Sequence, residues 1–485
     1  MGNESLGLLT DLYQLTMAFG YWKLGRHDQR AVFHLFFRNL PFSGGYTVAA
    51  GLEPALEFIE KFRCDDSDVS YLATLQGNDG QPLFSAEFLA YLRKLRMTCD
   101  VDAMPEGTLA FPHQPLLRVT GPILQCQILE TALLNIVNFQ TLIATKAARV
   151  VQAAAGRPVI EFGLRRAQGM DGGLSASRAA FIGGCVGTSN VLAGKRYGIP
   201  VRGTHAHSWV MSFDSERESF EQYASALPNN CVFLVDTYNT LEGVKQAIEV
   251  GRQLRTRGHE MVGIRLDSGD LAYLSIEARK LLDAAGFPQA AILASNDLDE
   301  RIIESLIQQG SPISVWGVGT KLVTAYDQPA LGGVYKLGAL QDETGGWDLK
   351  VKVSEQSAKS SLPGILQVRR FSHHGRLLGD MIYDELSGPP GHEIVDPRDP
   401  NRRKAFPVDA QAHDVLVSVL RQGKRVSESE TLPALQARAG EQLNQLSSNS
   451  RRLLNPHEYP AGIAIPLHEA RQLLVQTALG QQTPR

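Results

Sequence analysis

Cys231-Val-Phe-Leu-Val-Asp-Thr237, a helical run over 241–258 and then Met261-Val-Gly-Ile-Arg-Leu266 decide how this chain folds. Two short apolar runs rich in branched residues bracket a helix. Strands that are apolar without alternation are buried on both faces, the habit of a parallel sheet covered by crossover helices. The same rhythm recurs outward in both directions. Upstream, Pro158-Val-Ile-Glu-Phe-Gly-Leu-Arg165 reads as a strand, 176–185 and 190–197 as helices, 201–208 as a strand and 215–227 as a helix. Downstream, 271–286 and 299–310 read as helices, 291–295 and 314–319 as strands. Repeated βα units of this kind favour an irregular β/α barrel, closed or nearly closed, over an open doubly wound sheet.

The flanks break the rhythm. Before residue 156 come a helix over 10–22, a strand over 31–38, helices at 51–62 and 85–95, Pro-broken strands over 100–119 and a long helical region over 129–155. After 332, short strand-like runs at 333–337, 366–371 and 377–383 are separated by Gly, Pro and Ser turns. The expected division is an N-terminal α/β domain over 1–155, a β/α barrel over 156–330, and antiparallel strands with C-terminal helices over 331–485 that pack back on the first domain. A chain of 485 residues is too long for one core. Its 43% hydrophobic and 20% charged residues suit a globular protein, and a net charge of -3 gives no general attraction to nucleic acid or anionic membrane. Any anion site must be built locally. Five widely spaced cysteines without a C-x-x-C read as reduced thiols of a cytoplasmic protein. No apolar run is long enough to span a bilayer, and Met1-Gly-Asn-Glu-Ser-Leu6 lacks a signal pattern.

In a β/α barrel the chemistry sits at the C-terminal ends of the strands. Here those ends read Glu161-Phe-Gly-Leu-Arg-Arg166, Gly203-Thr-His-Ala-His207, Asp236-Thr237, Arg265-Leu-Asp267-Ser-Gly-Asp270, Ser295-Asn296-Asp297 and Gly317-Val-Gly-Thr320-Lys321. A lone strand-end His is often only a hydrogen-bonded core residue. So many charged and hydroxylated ends in register are not explained by packing. Arg and Lys mixed with Asp suit a polyanionic ligand carrying Mg²⁺, with Asp267 and Asp270 as candidate metal ligands. Gly317-Val-Gly-Thr-Lys321 is a phosphate-cradle candidate, because glycine lets backbone N–H groups approach oxygens closely.

Several stretches carry a resemblance. Thr10-Asp-Leu-Tyr-Gln-Leu-Thr-Met17, Phe36-Phe-Arg-Asn39, Glu161–Arg166, Gly203-Thr-His-Ala-His-Ser208, Leu234-Val-Asp-Thr-Tyr238, Arg265-Leu-Asp-Ser-Gly-Asp-Leu271, Gly317–Thr320, Leu331-Gly-Gly-Val-Tyr-Lys-Leu337 and Asn455-Pro-His-Glu-Tyr-Pro460 resemble the nicotinate phosphoribosyltransferase family, within the type II phosphoribosyltransferases. The resemblance implies transfer of phosphoribosyl from 5-phosphoribosyl 1-pyrophosphate to nicotinate, giving nicotinate mononucleotide and pyrophosphate for NAD biosynthesis, coupled to ATP with Mg²⁺. It makes His207 the phosphorylated catalytic histidine, and Asp267, the second catalytic candidate, could hold ribose hydroxyls or metal. It assigns substrate contacts to Tyr13, Phe162, Arg165, Ser189, Thr204, Arg265, Asn296, Gly319 and Thr320. It also implies a homodimer with shared sites, Tyr13 stacking over the pyridine ring from the partner subunit. The alternatives are a nicotinamide-using enzyme of the same fold and a non-catalytic nucleotide-binding homologue. One departure stands out: family members are expected to be apolar at position 205, where this chain has His205. Ser189 aligns where nicotinamide-using relatives carry Asp, and it could equally cap the helix expected from Asn190.

Overall fold

Five of the apolar runs between 159 and 318, together with Gly187–Thr188, become six short parallel strands, and the sheet they form sets the position of every strand end named above except that of 203–207. Its order is Gly187–Thr188, Val159–Glu161, Val315–Val318, Ala291–Ala294, Gly263–Leu266, Val232–Leu234. Ile264, Leu266, Ile292, Trp316 and Val318 are fully buried, as strands covered on both faces require. Helices return the chain between strands. Thr240–Thr256, for example, buries Val244, Ala247, Ile248, Gly251 and Leu254 along one stripe, and the Asn239 side chain caps its first turn by accepting from Glu242 N–H at 3.1 Å. The computed structural model describes residues 5–353, 361–388 and 390–480. The chain divides into two units, residues 143–329 and residues 1–142 with 330–485. The cut falls within the long helix Glu130–Ala153.

The strand expected over 201–208 does not form. Val201 makes a single parallel bridge with Thr188, whose N–H donates to Pro200 O at 3.0 Å and whose carbonyl accepts from Arg202 N–H at 2.9 Å. Beyond Arg202 the chain leaves the ladder, and His207 opens the short helix His207–Met211. Among the described residues the hydrogen-bonded sheet therefore stays open between Gly187–Thr188 and Val232–Leu234, and no closed barrel forms. Residues 200–205 occupy the gap. Their alternation imitates a strand, but past Arg202 the bonds that hold them come from side chains.

In the other unit the strand Arg30–Phe37 is buried at every residue but Arg30. It pairs antiparallel with Gly333–Gln341 on one side and Leu117–Pro122 on the other. The seven-stranded sheet around it runs Trp347–Leu349, Gly333–Gln341, Arg30–Phe37, Leu117–Pro122, Asp100–Ala103, Val417–Arg421, Lys424–Arg425. Strands from both ends of the chain thus build one α/β layer, as expected. A second, six-stranded sheet packs Phe371, Met381, Tyr383, Ile394, Phe406 and Ala464 together. Beside it Arg370 and Asp380 form a fully buried ion pair at 2.7 Å. Tyr459 O–H and Gln114 Nε2–H donate to Asp380 at 2.9 and 2.8 Å. Tyr459 gives the Asn455–Pro460 stretch a structural task, since a hydrogen bond to a charged group is worth about 1.5–3 kcal/mol.

All five cysteines are buried and free, Cys99 and Cys126 included, whose sulfurs lie 3.8 Å apart. No helix among the described residues is long and apolar enough to cross a membrane. The tail over 481–485, expected to fray, lies outside the described residues.

Candidate functional site

Arg265 is the hub of the rim. It sits near the end of the strand Gly263–Leu266, and its guanidinium donates to Ser295 Oγ at 2.9 Å, Thr204 Oγ1 at 3.0 Å and Asp267 Oδ1 at 3.0 Å. Ser295 Oγ also donates to Asp267 Oδ1. Four residues from three places in the sequence are thereby locked into one planar fork, the geometry a guanidinium favours. The ring of Phe162 lies beside it, with the guanidinium carbon 5.7 Å from its centroid. Behind that ring stands Gly317, where a Cβ would come within 2.6 Å of a ring carbon. The glycine makes room for Phe162. Lys321, from the same candidate cradle, is tied to Asp299 at 2.8 Å. Gly317 and Lys321 thus have packing and pairing tasks within the unit of residues 143–329.

His207 faces this fork from the other side. Its Nδ1 is 3.0 Å from Thr237 Oγ1, and its Nε2 lies 3.8 Å from both Asp236 Oδ1 and Asp267 Oδ2. The Asp236 side chain is 1% exposed. Its Oδ2 accepts from Asp267 N–H at 2.8 Å and Ser268 O–H at 2.6 Å, whereas Oδ1 is buried without a hydrogen-bond partner. Two carboxylate oxygens thus converge on one imidazole nitrogen at a distance too long for direct hydrogen bonds. Behind Asp236, burial and the Asp236 charge push the Glu216 carboxyl up to about 7. The folded state then holds the Glu216 proton more tightly than the unfolded chain. Stability contributed by that proton is present below the ordinary value of 4.5 and is lost as pH rises through about 7. Glu216→Gln is therefore expected to gain about 1–2 kcal/mol over the unmodified protein at pH 8, after allowance for partial solvation, and nothing near pH 4. Denaturant titrations at the two pH values measure this; equal gains at both would rule the assignment out.

The pattern of the Nicotinate phosphoribosyltransferase (NAPRTase) family matches residues 158–367, and its N-terminal and C-terminal domain patterns match 8–138 and 367–471. A nicotinate phosphoribosyltransferase of Bacillus subtilis (strain 168) is 44% identical over 477 residues, 95% of this chain and 94% of its own. The crystal structure of human nicotinic acid phosphoribosyltransferase superposes with a TM-score of 0.83 at 34% identity, covering 96% of this chain and 99% of that one. This chain belongs to the nicotinate phosphoribosyltransferase family. A nicotinate-nucleotide pyrophosphorylase from Pyrococcus furiosus shares the fold, with a TM-score of 0.70 at 22% identity over 92% of this chain and 97% of that one.

As an enzyme of the nicotinate phosphoribosyltransferase family, the chain brings together His207, Asp267, Arg265, Thr204 and Phe162. Arg165 stands exposed in the turn Leu164–Arg166, and Asn296 is exposed with φ +86°, a left-handed backbone uncommon outside glycine. Gly319 and Thr320 begin the short helix Thr320–Val323. Ser189 is half-buried, and its N–H donates to Glu161 O at 2.9 Å. The cap of the next helix, Val191–Tyr197, is not Ser189 but Asn190, whose side chain accepts from Ala193 N–H at 3.1 Å. Asp270 likewise caps the helix Leu271–Ala284, one carboxylate oxygen accepting from Tyr273 N–H at 3.0 Å. Tyr13 belongs to the other unit, on the helix Leu12–Lys23. It is half-exposed, and burial, Glu130 and Asp11 raise its pKa.

Residues the motif reading did not single out complete the site. Asp236 and Thr237 were visible as a polar strand end but had no role until His207 was placed against them. Glu161 is fully buried, and Ser177 O–H and Thr188 O–H donate to it at 2.8 and 2.5 Å, with Gly163 N–H a further donor. That carboxylate braces the turns bearing Phe162 and Ser189. In the unit of residues 1–142 and 330–485, burial, with Arg38, Arg398 and Arg471 nearby, pushes His113 down to about 4.

Proposed function

We propose that this enzyme transfers phosphoribosyl from 5-phosphoribosyl 1-pyrophosphate to nicotinate and couples the transfer to ATP through a phosphohistidine on His207. The observation that carries the reading is the His207 imidazole, held by Thr237 and facing the Asp236 and Asp267 carboxylates beside the Arg265 fork. A neutral ring nitrogen of His207 attacks the γ-phosphorus of ATP; the P–N bond forms and the P–O bond to ADP breaks. The pyridine nitrogen of nicotinate then attacks ribose C1, and the C1–O bond to pyrophosphate breaks. Positive charge that builds on the sugar is stabilised by the Asp267 and Asp236 carboxylates. Water finally cleaves the P–N bond and releases phosphate. Arg265 has more N–H donors than its three bonds use, so it can also pair the nicotinate carboxylate. Phe162 offers a ring face to the base.

Mg²⁺ fits this donor set, because Asp236 Oδ1 is a buried oxygen without a hydrogen-bond partner and Asp267 Oδ2 converges on the same point. Among the described residues no three His, Cys, Asp or Glu are grouped to hold an ion, so substrate phosphates would supply most of its ligands. Bound there it would neutralise phosphate oxygens and assist the leaving group. The reading also includes a homodimer in which the partner subunit's Tyr13 covers the base. Leu9, Leu12, Tyr13 and Met17, exposed on and before one helix, are the apolar surface a second copy would bury. Analytical ultracentrifugation reads out that mass. Five free thiols favour a reducing, cytoplasmic setting.

The test of the reaction is incubation with labelled nicotinate and phosphoribosyl pyrophosphate, with and without ATP. Nicotinate mononucleotide is expected in both, faster with ATP and with ATP consumed. Absence of the mononucleotide in both would end this reading.

A further inference from the structure

Where the sheet stays open, Leu234 at the end of its edge strand is 1% exposed and needs an acceptor for its N–H. A neighbouring strand would supply a carbonyl. Here the acceptor is His205 Nε2, at 3.2 Å. We propose that His205 is a positioning residue whose imidazole stands in for the missing strand carbonyl and so fixes the segment that presents His207. The consequence for catalysis rests on the phosphohistidine reading; the anchoring does not.

The surroundings hold that ring in one state. It is 8% exposed and packs against Phe220 and Tyr223, with centroids 6.1 and 4.9 Å away. Trp209, on the helix that His207 opens, packs on the same Tyr223 at 5.8 Å and donates its indole N–H to Ser219 O at 3.0 Å. Both histidines are thus tied to the helix Glu216–Ala226 and to the end of the edge strand. Because Nε2 accepts, the proton sits on Nδ1, 3.5 Å from Ala206 O. Ala206 is the residue that caps the helix starting at His207. Burial, with Arg265 and His207 nearby, pushes His205 down to about 4, so the acceptor nitrogen is bare at neutral pH. Three closely spaced anchors result: Thr204 on Arg265, His205 on Leu234 and His207 on Thr237. With Nε2 engaged and the ring buried, His205 is unavailable as a phosphoryl acceptor.

Nitrogen-15 spectra of the histidines at neutral pH are expected to give His205 as the Nδ1–H tautomer; the Nε2–H tautomer would overturn the proposal. Two variants carry it to function. His205→Phe fills the space without an acceptor, while His205→Gln keeps an oxygen at similar reach. In the Phe variant the Leu234 amide should exchange with deuterium about tenfold faster or more. Phosphate incorporation at His207 should slow about tenfold at saturating ATP, and both should recover in the Gln variant. A folded Phe variant with unchanged exchange and labelling, or a Gln variant no better than Phe, would refute the role. Should the Phe variant not fold, the tautomer decides alone. A lack of phosphate on the unmodified protein would instead sink the phosphohistidine reading, with tautomer and amide exchange still deciding His205.

Discussion

His207→Ala is expected to lose all incorporation of acid-labile phosphate from γ-labelled ATP and all stimulation by ATP, while slow ATP-independent transfer persists. The variant removes the only ring in the cluster with a nitrogen turned toward the two carboxylates, and leaves Arg265, Thr204, Ser295 and Asp267 bonded to one another. The transfer chemistry at ribose C1 is mostly positioning and electrostatics, and that machinery stays. If phosphorylation raises the rate about 100-fold, the coupling lost is about 2.7 kcal/mol. Filter-binding of labelled protein and product formation at several ATP concentrations measure both effects. Stoichiometric labelling retained in His207→Ala would move the acceptor elsewhere.

How much of this was legible in the sequence differs from element to element. Runs such as 231–237 and 261–266 announced buried parallel strands because no polar alternation interrupts them. The strand ends were legible for the same reason, as abrupt changes from apolar to charged residues. The stretch 201–208 misled because Thr-His-Ala-His alternates as an edge strand would. Whether a side chain or a carbonyl satisfies Leu234 N–H depends on a segment 29 positions away, and no local pattern encodes it. Gly317 was legible as part of a cradle candidate, but the Phe162 ring packed against it left no local trace. The Glu216 and Asp236 pair left no trace in spacing, because tertiary packing alone brings the two carboxyls together. The seven-stranded sheet that joins 30–37 to 333–341 pairs segments too distant for periodicity to connect. The expected packing of 331–485 on the first domain named no strand pairing.

Ser189→Asp is expected to lower kcat/KM for nicotinate by about 10³. Residue 189 follows the short strand Gly187–Thr188, and its N–H donates to the carbonyl of Glu161, the residue before Phe162. On the proposed reading the pyridine lies on Phe162 with its carboxylate toward Arg265, close to residue 189. Two negative charges about 4 Å apart repel by roughly 4 kcal/mol at an effective dielectric near 20, which gives that loss. The new carboxylate would also compete for Arg265. Nicotinamide carries no charge and has an amide N–H₂ to donate, so its use should fall less or rise. Folding should be little affected, because the helix cap is Asn190 and the main-chain bond of residue 189 is unchanged by the substitution. Ser189→Asn, nearly the same size but neutral, separates charge from bulk and should lose less than about tenfold. Equal losses in the Asn and Asp variants would make the effect steric. An unmodified enzyme that used both bases equally would leave Ser189 no part in selectivity.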